Sequence, residues 1–455
     1  MDGSVEEGGR VRSTERDAIA CGVDVGSTNV KVVALDAAGR VVARASRATP
    51  RESGEPSVDA VTLLRCVEEM VVEVCGGTRV VQAICSVGVG EDGVLVDDAF
   101  RPLTSALAWF DPRRQGVFRS LRPRLHDDES FDAETDPVRT LVGWAWARAQ
   151  PLDDPAVSWI ALADYAGVVW SGRAFLSDTL ASRTAAWRSQ DRRWAPERIA
   201  ATLGSVELLP PVVRSGDVVG ALGSTRLREA GALAADAVVV AGGHDHPIGG
   251  WGVDQIAPGA VLDSMGTAEV VVTQSPLRAA GRRDQVDVAP GIRSAGATLL
   301  RVEELARNVG WAAEDPAVAG HLRDLLAGRS EPLPVLDSGY FVPGRRGGGR
   351  PSYALHAPRD PRARASAVLG ALAIAGRDAV DAVRRGAPDR PEVRLAGGWV
   401  HSPGWVEIKS AVNGYRTTPI FEPEVTAVSA ALLAARAVGW DPEPAVVLGG
   451  SAPNA

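Results

Sequence analysis

The sequence predicts an α/β protein of two domains with an active-site cleft between them, and two observations support this prediction. The chain has 455 residues, which is too long for one hydrophobic core and suits two domains of roughly 200 residues each. Two segments of the same design, 22–31 and 261–270, lie one in each half of the chain. Each is a β-branched run broken by a turn of glycine and hydroxyl residues, so each predicts a hairpin. The repeat is one of architecture and not a sequence period.

Apolar spacing predicts the elements of each domain in order. Residues 1–17 contain almost nothing apolar and predict a disordered tail; the first domain would then span 18–234, the second 235–440, and an irregular tail 441–455. Apolar residues at helical spacing predict helices, which are 58–74, 365–383 and 425–438. Runs rich in β-branched residues predict strands, which are 80–89, 93–96, 235–241 and 393–396.

Composition limits the class of partner. The net charge is −8 and the pI is near 5.5, so we expect neither nucleic acid nor a membrane as the partner, but a small molecule. No apolar run reaches the roughly 18 residues needed to span a bilayer and no signal peptide is evident, so we expect a cytoplasmic protein. The four cysteines lack metal-ligand spacing and are expected to be reduced thiols. A homodimer is compatible with the sequence, although no segment proves it.

The two turns predict a nucleotide clamp. In the turns at 26–28 and 266–267, glycine removes the Cβ that would keep an anion from backbone N–H groups, so a phosphate chain held between both turns is the natural ligand. Lys31 follows the first turn, and only two of the chain's 49 basic residues are lysines. A compact ammonium there favours phosphate contact, but a solvated residue at the end of a strand would look the same.

Phosphoryl transfer requires metal-bridged phosphates and a base for the acceptor's proton. Two aspartates are candidates for these two roles. Asp24 precedes the first turn, where it could hold magnesium through its water shell or act only as a capping carboxylate. Asp245 follows a strand, and Pro247 suits the first turn of a helix. A carboxylate at this junction can face a cleft and accept a hydroxyl proton, although a strand-end aspartate can also be structural.

A polyol site is predicted in the first half of the chain. Glu91 and Asp92 lie on a glycine-flanked turn, and Trp109 and Asp111 follow. Carboxylates accept bonds from hydroxyl groups while an indole covers C–H surface; either group alone would suit a plain surface loop. His246 is interpreted as a neighbour that hydrogen-bonds substrate hydroxyls. The run from residue 244 to 246 would also suit a zinc site.

From about Ala18 to Trp440 the chain resembles the FGGY carbohydrate kinases, of the superfamily of actin, hexokinase and the heat-shock ATPases. Asp24 to Thr28 matches the first phosphate motif, Gly243 and Asp245 match Gly-x-Asp, and Asp263 to Ala268 matches the second phosphate motif. The resemblance implies two ribonuclease H-like (actin-like ATPase) domains, with Asp245 as general base and Asp24 acting on magnesium. The implied nucleotide contacts are Gly26, Ser27, Thr28, Lys31, Gly266, Thr267, Gly397, Gly398 and Ser402, and the implied substrate contacts are Glu91, Asp92, Trp109 and Asp111.

The resemblance implies ATP-dependent phosphorylation of a hydroxyl of a ketose or polyol, with ATP and Mg²⁺. Two alternatives stay open: a regulatory ATPase, marked by hydrolysis that sugars do not affect, and a metal hydrolase, marked by stoichiometric zinc. Ser429 replaces a glycine of the family's final helix motif, so we expect it either to crowd the nucleotide or to shift helix packing. An arginine-glycine segment at 344–351 replaces the family's Gly-Glu-Arg-x-Pro pattern and predicts a loop.

Overall fold

A computed structural model describes residues 16–51, 55–279, 281–283, 285–345, 349–385, 392–415 and 417–449. The strands are β1 (Asp17–Val25), β2 (Asn29–Leu35), β3 (Val41–Ala48), β4 (Arg79–Gly88), β5 (Gly93–Val96), β6 (Ser158–Ala161), β7 (Leu176–Ser177), β8 (Trp187–Arg188), β9 (Arg193–Trp194), β10 (Val212–Val213), β11 (Val218–Ala221), β12 (Leu233–His244), β13 (Val261–Met265), β14 (Ala268–Ser275), β15 (Asp287–Pro290), β16 (Ala297–Glu304), β17 (Phe341–Val342), β18 (Ser352–Tyr353), β19 (Val393–Ala396) and β20 (Thr417–Pro419).

The helices connect these strands and cover the sheets. They are α1 (Ala60–Cys75), α2 (Arg113–Leu121), α3 (Thr140–Arg148), α4 (Leu162–Ser171), α5 (Asp178–Ser182), α6 (Pro196–Ala201), α7 (Thr225–Glu229), α8 (Asp245–Asp254), α9 (Ala306–Ala312), α10 (Pro316–Leu326), α11 (Pro361–Val383), α12 (Pro403–Asn413), α13 (Val425–Ala437) and α14 (Pro444–Gly449). No helix among the described residues is long and apolar enough to cross a bilayer.

The first sheet has the order β11-β12-β4-β1-β2-β3. Strands β1 and β2 form the predicted antiparallel hairpin, while β4 runs parallel to both β1 and β12. Successive residues of β1 point to opposite faces: Ile19 and Val23 join the core that contains α1 and α4, and Ala20 joins the core that contains α13. Both faces are therefore covered, which explains why the strand is apolar from residue 18 to residue 23.

The second sheet repeats this plan with the order β15-β16-β14-β13-β19-β20. Strands β13 and β14 form the second predicted hairpin, and β19 runs parallel to β13 and β20. In each sheet the first strand of the hairpin pairs with the second hairpin strand on one side and with a parallel strand on the other. The two turns thus end corresponding strands of two related sheets, and the predicted two-domain α/β fold is confirmed.

Two helices, α8 and α13, pack on each other and on the sheets. A Cβ at Gly22 of β1 would lie 1.9 Å from the carbonyl oxygen of Ala427 on α13, so glycine permits this close approach. Ser429 of α13 is fully buried, and a Cβ at Gly252 of α8 would lie 2.0 Å from its Oγ. Ser429 therefore lies in the contact between α13 and α8.

Three predicted boundaries need correction. The division between residues 234 and 235 cuts β12, which pairs with β4 in the first sheet, so the first sheet extends to His244. The tail predicted at 441–455 contains the helix α14, which packs on α8 and α13 through its apolar residues. The disordered tail predicted at 1–17 overlaps β1 by one residue, since Asp17 pairs with Arg79. Residues 1–15 and 450–455 lie outside the described part of the chain.

Candidate active site

The first phosphate turn joins β1 to β2, where the Gly26 N–H bonds the carbonyl of Asn29 at 3.1 Å. Asp24, near the end of β1, is 7% exposed, and its Oδ1 has no hydrogen-bond partner among the described residues. Burial and the charge of Asp245 raise the pKa of Asp24 to about 7, although Lys31 opposes the rise. A buried, unpartnered carboxylate oxygen fits a group that holds a hydrated cation.

Lys31 reaches across from β2 to the start of α13. Its Nζ lies 2.6 Å from Glu424 Oε2 and 3.9 Å from Asp24 Oδ2. The pKa of Lys31 is raised: burial opposes the rise, while Asp24 and Glu424 cause it. Lys31 is therefore a firmly charged ammonium that joins the first phosphate turn to α13, rather than a solvated residue at the end of a strand.

Asp245 is the first residue of α8, directly after β12, at the strand-to-helix junction that the sequence predicted. Its Oδ1 lies 2.6 Å from Nδ1 of His246 and 3.2 Å from Nε2 of His244, and it accepts a 2.7 Å bond from the His246 N–H. Burial would raise the pKa of Asp245, but the two histidines hold it well below its usual range. Asp245 therefore stays ionised at neutral pH.

The two histidines differ in their ionisation. Burial lowers the pKa of His244 to about 3, so this ring is neutral. Burial acts in the same direction on His246, but Asp245 outweighs it and the pKa of His246 is raised. Within the described residues, one ligand atom from each of His244, Asp245 and His246 lies within 4.8 Å of the others. Asp245 thus lies between one neutral and one readily protonated imidazole.

The second phosphate turn and the glycine pair at 397–398 lie side by side. Gly266 is open on its outer side, where a Cβ would meet no atom within 4 Å. Gly397 has a φ of 85°, and a Cβ there would lie 2.3 Å from the carbonyl oxygen of Met265. Trp399 donates its indole N–H to the carbonyl of Gly266 at 3.0 Å. Ser402 then leads into α12, so the structure brings these predicted nucleotide contacts together.

The predicted substrate acids Glu91 and Asp92 lie buried on the turn between β4 and β5. Arg183 donates to Glu91 Oε1 from Nη2 at 2.6 Å and from Nε at 3.0 Å. Asp92 lies 3.4 Å from Nη2 of Arg114, and burial raises its pKa to about 7 although Arg114 opposes the rise. Both acids therefore face buried guanidinium groups, which fix their orientation.

Trp109 and Asp111 follow on the loop before α2. The backbone N–H of Trp109 donates to Asp92, and the Trp109 side chain is half-buried. Trp109 therefore lies beside the acidic turn. Asp111 accepts bonds from the backbone N–H, Nε and Nη2 of Arg113 at 2.7–3.1 Å. Burial would raise the pKa of Asp111, but Arg113 lowers it. The carboxylate of Asp111 is thus bonded mainly to Arg113 at the start of α2.

Arg183 and Asp287 were missed by sequence reasoning. Asp287, on β15 of the second sheet, lies 2.7 Å from Arg183 and 2.9 Å from Arg139. It therefore ties the second domain to the guanidinium that holds Glu91. Arg183 lies in the 176–184 run that carries part of the family resemblance, which is a signal, whereas nothing in the sequence around Asp287 marks it. Glu424, which pairs with Lys31, begins the final helix motif and was also missed.

A cavity of about 250 Å³ lies between the two domains beside these charged groups. Its first-domain wall includes Trp187 and Arg214, and its second-domain wall includes Val288 and Ser294. Arg214 donates to the carbonyl of Ser294 across this gap at 2.7 Å. An interdomain cleft is thus present, although this cavity contains none of the predicted site residues.

The duplicated sheets and the turns at corresponding strand ends define a two-domain protein of the actin-like ATPase fold. A family model for the N-terminal domain of the FGGY family of carbohydrate kinases matches residues 19–252. The chain therefore belongs to the FGGY family of carbohydrate kinases. Within this fold and family, the chain is a sugar kinase, and ATP is its implied second substrate.

Individual relatives agree with this assignment over most of the chain. A xylulose kinase of Staphylococcus epidermidis is 21% identical over 93% of this chain and 88% of its own length. A glycerol kinase of Gloeobacter violaceus is 27% identical over 92% of this chain and 88% of its own length. The crystal structure of a ligand-bound xylulose kinase from Lactobacillus acidophilus superposes with a TM-score of 0.79 at 17% identity, covering 94% of this chain and 91% of that one. This last similarity shows the shared fold.

Proposed function

We propose that the chain transfers the γ-phosphoryl group of ATP to a hydroxyl of a ketose or polyol, with Asp245 as the general base. The geometry of Asp245 is the observation that supports this role most directly. The contacts found among the described residues fall on Oδ1, so Oδ2 is the oxygen that can face an acceptor. A carboxylate held by one oxygen has a fixed orientation, which a base within hydrogen-bond reach of its proton requires.

The nucleotide would lie along the two turns. Gly26, Ser27 and Thr28 would contact phosphate from the first domain, and Gly266 and Thr267 from the second. Gly397, Gly398 and Ser402 would border the adenosine. Lys31 would supply positive charge beside the phosphates, held in place by Glu424. These contacts are mostly backbone groups with few side chains, which suits a reaction whose catalysis is positioning and charge stabilisation.

Asp24 would hold magnesium through its water shell. The fit rests on the buried, unpartnered Oδ1 and on the preference of Mg²⁺ for carboxylate and water oxygens. Bound magnesium supplies neutralisation of the phosphate charge. The charge of Asp245 also raises the pKa of Asp24, so a cation near Asp24 would let both carboxylates stay charged.

The acceptor would bind against Glu91, Asp92 and Trp109, with His246 beside the reacting hydroxyl. Xylulose and glycerol, named in the relatives, are a ketose and a polyol, and both present vicinal hydroxyl groups to carboxylates. Nδ1 of His246 bonds Asp245, so the opposite ring nitrogen, Nε2, is the one that would meet the substrate. Closure of the cleft would exclude water and suppress ATP hydrolysis without an acceptor.

The test is ADP release with magnesium-ATP against ketopentoses, ketohexoses and polyols, with Asp245→Asn run in parallel. We expect one acceptor class to stimulate ADP release, and Asp245→Asn to lower that rate by about 1000-fold. Asp254→Asn, at the other end of the same helix, is the matched control and should keep the rate. A rate within about tenfold of the native one in Asp245→Asn would refute the base assignment. Hydrolysis that no sugar stimulates would favour the ATPase alternative.

A further inference from the structure

Lys409, the second of the chain's two lysines, is buried in an ionic cluster below the second phosphate turn. Its Nζ lies 2.6 Å from Asp263 Oδ2 and donates a short hydrogen bond to Glu269 Oε1. The side chains of Lys409, Asp263 and Glu269 are 0%, 0% and 2% exposed. We call these three residues the buried triad. A charged group so deep in a protein needs partners of this kind, since an unpaired buried charge is very costly.

The triad joins three elements that end at the predicted nucleotide contacts. Asp263 lies on β13 and Glu269 on β14, the two strands that the 266–267 turn connects. Lys409 lies on α12, which begins directly after the 397–402 loop. The Lys409 ammonium therefore contacts both strands of the hairpin that contains the 266–267 turn. Its helix, α12, begins where the 397–402 loop ends.

Two tryptophans, Trp405 and Trp399, link the triad to the turn and the loop. The Trp405 indole N–H lies 3.0 Å from the sulfur of Met265, the residue before the turn. The same indole ring has the Lys409 ammonium 5.6 Å from its centroid. Trp399 donates to Gly266 at the surface. Trp405 thus connects the buried ammonium to the turn through Met265 and to the loop through its 5.8 Å ring contact with Trp399, so a shift at Lys409 would reach both.

The space around the triad explains why a lysine stands there. A Cβ at Gly376 of α11 would lie 2.0 Å from Glu269 Oε1 and 2.7 Å from Lys409 Nζ. The backbone of α11 therefore closes over the ion pair, and a planar guanidinium is larger than the compact ammonium. Nearly all of the other basic residues in this chain are arginines. A lysine at this position thus indicates a constraint on size and geometry.

The buried triad places two carboxyl groups against one ammonium. Burial and the charge of Asp263 raise the pKa of Glu269 to about 8, although Lys409 opposes the rise. Burial would lower the pKa of Lys409, but the two acids outweigh burial and the pKa is raised. Lys409 is therefore held as an ammonium between the two acids.

We propose that Lys409 is a positioning residue of the nucleotide site, which holds the 266–267 turn and the 397–402 loop in the relative placement that one ATP molecule requires. The inference rests on the proposed function in one respect, that this turn and loop contact the nucleotide. A buried ion pair often adds little net stability compared with apolar side chains. Apolar side chains would fix the relative placement of the two binding segments less specifically than these ionic contacts do.

Gly376→Ala is the first test, because it displaces the triad without removing a charge. Gly320→Ala on α10 is the matched control, since a Cβ there meets no atom within 4 Å. Magnesium-ADP binding is measured by calorimetry, with KM for ATP and for the sugar alongside. We expect Gly376→Ala to weaken ADP binding and raise KM for ATP at least about fivefold, with KM for the sugar within twofold. Gly320→Ala should change none of these.

A second variant covers the case in which Gly376→Ala fails to fold. Asp263→Asn, Glu269→Gln and Lys409→Met together remove every charge while keeping similar volumes, so no charge is left buried and unpaired. We expect this triple variant to fold and to show the same selective loss of nucleotide affinity. ADP affinity within twofold of the native protein, or equal losses for ADP and sugar, would overturn the positioning role.

Calorimetry separates this inference from the proposed function. If the native protein binds magnesium-ADP but no sugar stimulates ADP release, the proposed acceptor fails while the variants still test Lys409. If the native protein phosphorylates a sugar and the folded variants bind ADP normally, only the positioning role fails. If the native protein does not bind magnesium-ADP, both are overturned.

Discussion

Nδ1 of His246 lies 2.6 Å from Oδ1 of Asp245, so the carboxylate that we propose as the base is paired with an imidazole from its own helical turn. The pairing raises the pKa of the ring and lowers that of the acid. Two histidines contact this one oxygen and leave the other for the acceptor that we propose. The pair therefore orients the base, and it also makes stability depend on pH.

His246→Asn should reveal that dependence. Asparagine can still donate a hydrogen bond to Asp245 but carries no charge. The raised pKa of His246 means that the native protein's advantage is complete below the ring's ordinary pKa of about 6.5 and is lost as pH rises through the raised value. We expect a difference in unfolding free energy of about 1–2 kcal/mol at pH 6 that shrinks by pH 9. Urea unfolding of both proteins across this range measures it, and a constant difference would contradict the pairing.

Asp24→Asn should stabilise the fold while it abolishes activity. Burial raises the pKa of Asp24 to about 7, so the ionised form destabilises the folded protein, and this penalty grows as pH rises from about 4 to 7. Without magnesium or nucleotide at pH 8, the variant should be more stable by on the order of 3 kcal/mol. At pH 4 the two proteins should unfold alike. Thermal or urea unfolding at both pH values decides, and a less stable variant at pH 8 would disprove the assigned ionisation.

Asp287→Asn should impair sugar binding from the second domain. Asp287 accepts bonds from Arg183 and Arg139, and Arg183 orients Glu91. Loss of the charge leaves two buried guanidinium groups short of an anion, which costs about 3 kcal/mol of stability. We expect KM for the sugar to rise at least fivefold and KM for ATP to change less than twofold. Equal changes in both constants would argue against a role at the sugar side of the cleft.

The contact between Gly252 and Ser429 predicts a compensating pair of substitutions. A Cβ at Gly252 would lie 2.0 Å from Ser429 Oγ, so Gly252→Ala should cost about 2 kcal/mol through overpacking of α8 on α13. Combined with Ser429→Gly, which restores the family's glycine, the same substitution should cost much less. A double-mutant cycle by urea unfolding gives the coupling energy. Additive effects would show that the two helices adjust independently of each other.

Most of the fold was predictable from local sequence, because strand and helix patterns depend on neighbours in the chain. The strands at 93–96 and 393–396 were predicted to the residue, and the helices at 58–74, 365–383 and 425–438 to within a few residues. The assignment of 235–241 to the second domain was wrong, because its partner β4 lies far away in the chain. A strand's own sequence carries little information about which sheet it joins.

The sequence by itself determined the two glycine turns, the aspartate at the start of α8 and the family, since these depend on short motifs in which the spacing of a few residues is the signal. The tertiary structure alone decided the ionic partners: Glu424 for Lys31, Glu91 and Asp287 for Arg183, and Asp263 and Glu269 for Lys409. The reason is physical. A charge is stabilised by whatever lies within a few ångströms of it, and the folding of the two sheets brings together residues that are distant in the chain.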